Sequence, residues 1–262
     1  MIRLWVLARM VWLDLFRRKD PYVLLMVLGA LLAALLSFDI FGLGNLVRYL
    51  KDVGLLLTWL LAWVLAVQLA ARQLPQEERR HTIFSLIAKP ITRADLVLGK
   101  WLGAWLAAAA GTALLYAATW LVVLLRGGNF ELVTLMQVLL LHLCFLAFVT
   151  ALSIALTTIL TQSAAMTMAY LLTGAGYFLA ARLPVMATGA APAKTNVLLV
   201  LYYALPHLEL FDLRQRLVHD WGPIPAGVLL GILGYGALWT AGLLLLAWLA
   251  YRRTRFTRGE MT

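Results

Sequence analysis

Leu135–Leu160 reads LMQVLLLHLCFLAFVTALSIALTTIL and contains no Asp, Glu, Lys or Arg. A hydrocarbon core of roughly 30 Å is crossed by about 20 apolar residues in a helix, so this stretch is long enough to span a bilayer. Five more stretches without an internal charge meet or approach that length: Pro21–Phe38, Val53–Ala71, Trp101–Leu125, Ala164–Ala181 and Ala226–Ala250. The alternating ten-residue segments of a membrane β-barrel are absent. In lipid a backbone must bond to itself, which leaves helices. The sequence therefore predicts an all-α integral membrane protein, a single transmembrane domain over residues 1–262 with six spans. Composition agrees. The chain of 262 residues is 63% hydrophobic and 13% charged, against about 25% charged for soluble domains. Its mean hydropathy is +0.89. That excludes a water-soluble globule, which could not hide so much apolar surface, and excludes disorder, which needs low hydrophobicity. Cys144 is the single cysteine, so an internal disulfide and multi-cysteine metal sites are excluded.

Residues Ile2–Arg18 do not read as a cleaved leader, because Arg9 and Asp14 interrupt the first apolar run. Arg3, Asp14, Arg17 and Arg18 cluster on one side of a helical wheel while Trp5, Trp12, Leu15 and Phe16 lie away from them, which predicts an N-terminal interfacial helix. With the N-terminus inside, the inner segments hold 15 Lys and Arg and the outer segments 7. The positive-inside rule then places both termini in the cytoplasm. The net charge of +10 thus records orientation and not nucleic-acid binding.

Two connections are long: an inner one, Arg72–Lys100, and an outer one, Arg182–Gly222. In the inner loop, Pro75 suits the opening of a helix, Glu77 and Glu78 its positive N-terminal end, and Lys89 its negative C-terminal end, with Pro90 as the stop. Glu77, Glu78, His81, Thr82 and Ser85 share one arc, and Ile83, Phe84, Leu86 and Ile87 the other, which predicts a short amphipathic helix along the inner face of the membrane. Thr92-Arg-Ala-Asp95 then matches a capping box that opens the third span. Gly99, Gly103, Ala107 and Gly111 follow at four-residue spacing, which lets a helix approach closely, either within the chain or from a second copy. Gly99-Lys100 is not the end of a phosphate-binding loop, since Ala94 replaces its first glycine and Trp101 its Ser or Thr.

Glu77-Glu-Arg-Arg-His-Thr-Ile, Ala88-Lys-Pro-Ile-Thr-Arg and Val97-Leu-Gly-Lys-Trp-Leu-Gly103 resemble the loop between the second and third spans of ABC-2-type transporter permeases, most closely the multi-copper-enzyme and nitrous-oxide reductase maturation branch. The resemblance implies a membrane subunit of an ATP-binding-cassette transporter. The amphipathic helix would be the coupling helix, with Glu77, Glu78, Arg79, Thr82 and Ser85 docking on a cytoplasmic ATPase and Lys89, Pro90 and Arg93 returning the chain to the membrane. It also implies a bacterial inner membrane, two ATPase copies, which would bind the ATP and Mg, and a second permease, either a copy of this chain in a homodimer or a homologue. No cofactor is expected on this chain.

The outer connector is flexible from Pro184 to Thr195, apolar from Asn196 to Leu205, and continues after Pro206 as His207–Trp221 with a loose apolar side. It reads as one or two short helices at the outer interface. Pro206, Phe211 and Asp212 fall in a stretch similar to one in related permeases. The segment is either a membrane-resting connector, a lid over an exit, or a contact for a periplasmic partner. His207, Glu209, His219 and Asp220 lack compact ligand spacing, so no metal site is assigned. In the fourth span His142, Thr150, Ser153, Thr157 and Thr161 lie within about 100° of arc. This polar line is either a helix–helix seam or the lining of a path. A secondary transporter or channel is the alternative function; carriers commonly keep carboxylates within spans, and all twelve acidic residues lie outside these six. An integral membrane enzyme is disfavoured, as no convergent catalytic set is visible.

Overall fold

The computed structural model describes residues 23, 26, 27, 29–31, 46–75, 92–180, 182–188 and 192–253. The predicted N-terminal interfacial helix, most of the first span, and Glu77, Glu78, Arg79, Thr82, Ser85, Lys89 and Pro90 lie outside the described residues. The described chain forms α1 (Leu46–Ala71), α2 (Arg93–Leu125), α3 (Leu132–Thr157), α4 (Gln162–Phe178), α5 (Leu183–Ala187), α6 (Pro192–Ala204), a 3-10 turn (Leu208–Phe211), α7 (Arg214–Val218) and α8 (Ala226–Arg253), with no strand among the described residues. Helices over 47–75, 93–125, 132–157 and 226–252 are long and apolar enough to cross a membrane. Residues 194–204 and 208–218, bent by 43° between them, form a fifth candidate or a re-entrant loop.

α1, α2, α3 and α8 carry the second, third, fourth and sixth predicted spans, with ends displaced from those expected, whereas the fifth, Ala164–Ala181, falls on α4, which at 17 residues is not among the helices long enough to cross. α2 begins at Arg93, before Trp101, because Thr92 caps it: the Thr92 side chain accepts from Asp95 N while the Asp95 carboxylate accepts from Thr92 N at 3.1 Å. At its other end Gly127, at φ 76°, closes the helix. Gly128 N donates to Val123 O at 3.0 Å and Gly127 N to Leu124 O at 3.0 Å, the paired bonds of a Schellman stop. α1 starts at Leu46 and not Val53, so Arg48, Lys51 and Asp52 ride its first turns. α3 ends at Thr157 and not Leu160.

α3 is the axis of the bundle, packed on α8 and α1 and in contact with α2 and α4. It is apolar all round and mostly buried, as a central helix must be. Polar bonds tie it to α2: Trp101 Nε1 donates to Ala147 O at 3.2 Å and Trp105 Nε1 to Leu143 O at 2.9 Å. Thr58 and Thr119 share a hydroxyl bond of 2.7 Å between α1 and α2. Gly99, Gly103, Ala107 and Gly111 are all buried on α2. A Cβ at Gly111 would overlap the Leu65 side chain of α1, so this end of the stripe is a seam within one chain.

The two ends of the bundle are chemically distinct. At one, Arg93 Nη1 donates to Tyr251 O at 2.9 Å and to Arg252 O at 2.7 Å, joining the start of α2 to the last carbonyls of α8. A cation at a helix C-terminus satisfies orphan carbonyls and the helix dipole together. At the other, Gln215 Nε2 donates to Asp52 Oδ1 at 3.1 Å, Lys51 Nζ to Asp220 Oδ1 at 2.9 Å, and Ile224 N to Gln137 Oε1 at 2.8 Å. Arg93 and Arg252 thus share one end, and Arg48, Lys51 and Arg216 belong to the other.

Candidate functional site

Residues 206–220 were expected as short helices at the outer interface, forming a resting connector, a lid or a partner contact. They dip between α3, α4 and α8 and return. Leu208 and Phe211 are buried, as apolar side chains at these two positions must be to bring the chain inward. Two glycines make the notch. A Cβ at Gly176 would sit 3.0 Å from Pro206 O and 3.2 Å from Leu208 Cδ1, and one at Gly236 would sit 2.9 Å from the Phe211 ring. Cys144 meets the same point of Gly236. It lies about 18 Å along α3 from Leu132 at a rise of roughly 1.5 Å per residue. The hairpin tip therefore reaches about halfway through the bundle.

This fold carries charge inward. Arg214 grips Asp212 with both arms of its fork, Nε to Oδ1 at 2.8 Å and Nη2 to Oδ2 at 2.7 Å. Each side chain is 11% exposed. Arg214 N adds a bond to Asp212 Oδ1 at 3.1 Å. The Tyr177 hydroxyl of α4 donates to Asp212 Oδ2 and accepts from Arg214 Nη2 at 3.2 Å. The guanidinium lies 5.3 Å from the centre of the Trp59 ring of α1. A buried ion pair is tolerable only when its remaining bonding groups are met, and here both carboxylate oxygens and the guanidinium Nε and Nη2 are bonded.

Beyond Trp59 the cluster continues. Its ring stacks on His142 at 5.8 Å and on Phe145 at 4.7 Å. Tyr116 Oη and His142 Nδ1 are 3.1 Å apart. Trp59 Nε1 and His142 Nε2 are buried with no hydrogen-bond partner among the described residues. An unmet buried polar atom costs about 1–3 kcal/mol, so this part of the cluster is the polar portion of the interior that stability alone does not favour.

The polar line of the fourth span behaves differently along its length. Thr150 Oγ1 donates to Leu146 O at 2.8 Å, Ser153 Oγ to Val149 O at 2.8 Å and Thr157 Oγ1 to Ile154 O at 2.8 Å. These hydroxyls are spent on their own helix. Thr161 lies beyond α3, exposed at the start of α4. Only His142 of the five joins the cluster. Of the outer-lid residues, Phe211 and Asp212 form the hairpin tip and Pro206 touches Gly176. His207 and Glu209 face each other at 3.1 Å, whereas His219 and Asp220 face α1, so the four do not converge. Among the described residues no group of three or more His, Cys, Asp and Glu side chains could hold a metal.

Sequence reasoning missed Tyr177, Arg214, Trp59 and Tyr116. The available signal was Asp212-Leu-Arg214 following an apolar Leu-x-Leu-Phe: two opposite charges with one leucine between them.

The sequence matches the family described as ABC-2 family transporter protein over residues 20–256. No curated protein matches it. The family is one of ABC transporter permeases, generally non-catalytic membrane subunits that work with an ATPase partner. Apolar helices long enough to span, packed around α3, accord with a multi-pass membrane protein of that kind. With most of its length covered by the match, the chain belongs to the ABC-2 family of transporter proteins.

Proposed function

We propose that this chain is the six-span membrane subunit of an ATP-driven transporter, working as a pair with two cytoplasmic ATPase subunits that bind ATP and Mg. Glu77, Glu78, Arg79, Thr82 and Ser85 dock on the ATPase, and Lys89, Pro90 and Arg93 carry its movement into the bundle. The orientation is the one given by the charge count, with the Arg93 end in the cytoplasm.

The observation that supports this reading is the clasp of Arg93 on the last turn of α8. Arg93 follows directly on the loop that would dock, so a displacement there acts on α8 as well as on α2. α8 is one continuous helix to Ala226. Near its middle, Tyr235 Oη accepts from His207 N at 2.9 Å and Gly236 seats Phe211. A rigid rod thus links the docking end to the hairpin that plugs the outer half of the bundle. Movement of the hairpin would open the space around Trp59 and His142, the polar part of the route.

The carrier alternative gains nothing from Asp212. An ion-coupling carboxylate must be free to exchange its partner, and this one is closed by Arg214 and Tyr177.

The test is co-purification with a cytoplasmic ATPase subunit of the same cells. Glu78→Lys with Arg79→Glu should abolish the complex, and an unaltered complex would count against docking. Arg93→Ala should keep the complex but break the stimulation of ATP hydrolysis by the permease. Retained stimulation in Arg93→Ala would remove the clasp from the mechanism.

A further inference from the structure

At the Arg48 end of the bundle, the first turns of α1 and the end of the connector enclose a cavity of about 350 Å³. Small-molecule sites occupy about 300–1,000 Å³. Arg48, Lys51, Val218, His219, Asp220 and Trp221 line it. Arg48 and Lys51 are three residues apart and so share one face of α1. The opposite wall is a built turn: Asp220 adopts φ 51° and Gly222 φ 76°, Trp221 N donates to Arg216 O at 3.1 Å, and Arg216 Nη1 to Gly222 O at 3.1 Å. A non-glycine residue held at positive φ is uncommon and marks a constrained position.

The charges do not cancel. Lys51 is 6% exposed and bonds both oxygens of Asp220, at 2.9 and 3.2 Å, while Asp220 is 64% exposed. That leaves the guanidinium of Arg48, whose hydrogen-bond partner among the described residues is the His219 ring. The neighbouring acids are engaged elsewhere, Asp52 with Gln215 and Glu131 with Thr134. His219 and Trp221 stack at 4.9 Å with planes 16° apart, and Trp221 is largely exposed. A tryptophan so placed at the end of a span sits at the level of lipid headgroups. The cavity wall is therefore cationic on one side, aromatic on another, and apolar at Val218.

We propose that this cavity binds the phosphate of an anionic phospholipid in the leaflet that meets this end of the bundle. Arg48 and Lys51 face the phosphate, the stacked His219 and Trp221 rings flank the glycerol, and the apolar rim accepts the upper acyl chain. The bound lipid pins the connector to α1, and it does so whether or not an ATPase docks at the other end.

The experiment is native mass spectrometry of the full chain, delipidated in detergent and titrated with phosphatidylglycerol, with phosphatidylcholine as the zwitterionic comparison. One phosphatidylglycerol should be retained in preference to phosphatidylcholine. Arg48→Gln should weaken that retention by about fivefold, the value of one cation at an anionic interface. Arg48→Lys should restore most of it, and Lys194→Gln, an exposed cation elsewhere on the connector, should leave it unchanged. Arg48 is exposed, so the thermal melt of Arg48→Gln checks that the fold persists. Equal retention by wild type and Arg48→Gln overturns the proposal. Displacement of the lipid by millimolar inorganic phosphate overturns the headgroup assignment in favour of a free anion.

Discussion

Two ion pairs of the connector between α4 and α8 are built in opposite ways. Asp212–Arg214 joins two residues of the same hairpin, each 11% exposed, at the middle of the bundle. Lys51–Asp220 joins the hairpin to α1 at the rim, with one member at 6% and the other at 64% exposure. The difference follows from solvation. Burying a lone charge costs several kcal/mol even after relaxation, so a charge taken to mid-depth must bring its partner with it. The hairpin therefore enters as a neutral unit and needs only one hydroxyl, from Tyr177, to complete its bonding. At the rim, water and headgroups serve as partners. A pair there can stay half open, hold two elements together, and still leave Arg48 available.

The largest effect should come from splitting the deep pair. Arg214→Met leaves Asp212 ionised and unpaired, and should lower stability by about 3–5 kcal/mol. Asp212→Asn with Arg214→Met removes both charges and should recover most of that loss. Thermal unfolding in detergent of the two single variants and the double variant measures the coupling. If the double variant is as unstable as Arg214→Met alone, the hairpin does not depend on self-neutralisation.

That pair shows why the sequence disclosed the fold more readily than the site. The apolar runs at 53–71, 101–125 and 226–250 are legible because a bilayer demands length and hydrophobicity from each helix alone. Thr92 and Asp95 are legible because a cap is local, and both bonds of the box are present. Asp212 was misread, since its hydropathy places it outside every span while its neighbours Leu208 and Phe211 draw it within. Nothing local to Gly176 or Gly236 announces that the first faces Pro206 and the second Phe211, and Tyr177 looks like one more apolar ring. The coupling helix is the reverse case: its pattern is plain in the sequence, and Glu77 to Pro90 lie outside the described residues.

Two intermediate substitutions probe what seats the hairpin. Gly236→Ala puts a methyl group against the Phe211 ring, at 2.9 Å before any relaxation. Overpacking of this kind costs about 1–3 kcal/mol. Cys144 Sγ stands closer still, at 2.5 Å, so a smaller alanine or leucine at position 211 should relieve only the part owed to the ring, which a double-mutant cycle on the melting temperature would reveal. Tyr177→Phe removes the one hydroxyl that the bundle offers to the ion pair, at about 1–2 kcal/mol for a bond to a charged group. It should also raise the accessibility of Cys144, beside Phe211, to a membrane-permeant maleimide. Unchanged labelling of Cys144 in Tyr177→Phe would show that packing alone keeps the hairpin in place.

The rim pair should give the smallest change. Asp220→Asn keeps the size of the side chain and one acceptor for Lys51, and asparagine tolerates positive φ as readily as aspartate. Asp220 is mostly exposed, so the loss in stability should stay under about 1 kcal/mol. The substitution also removes the negative charge that faces Arg48 across the cavity, and retention of phosphatidylglycerol should therefore rise while the melt hardly moves. Stability and lipid binding changing in opposite directions is the signature of a pair that shares its cations with a ligand. A melt that falls as far as that of Arg214→Met would instead make Lys51–Asp220 a structural pair of the same kind as the deep one, and the contrast between rim and core would be lost.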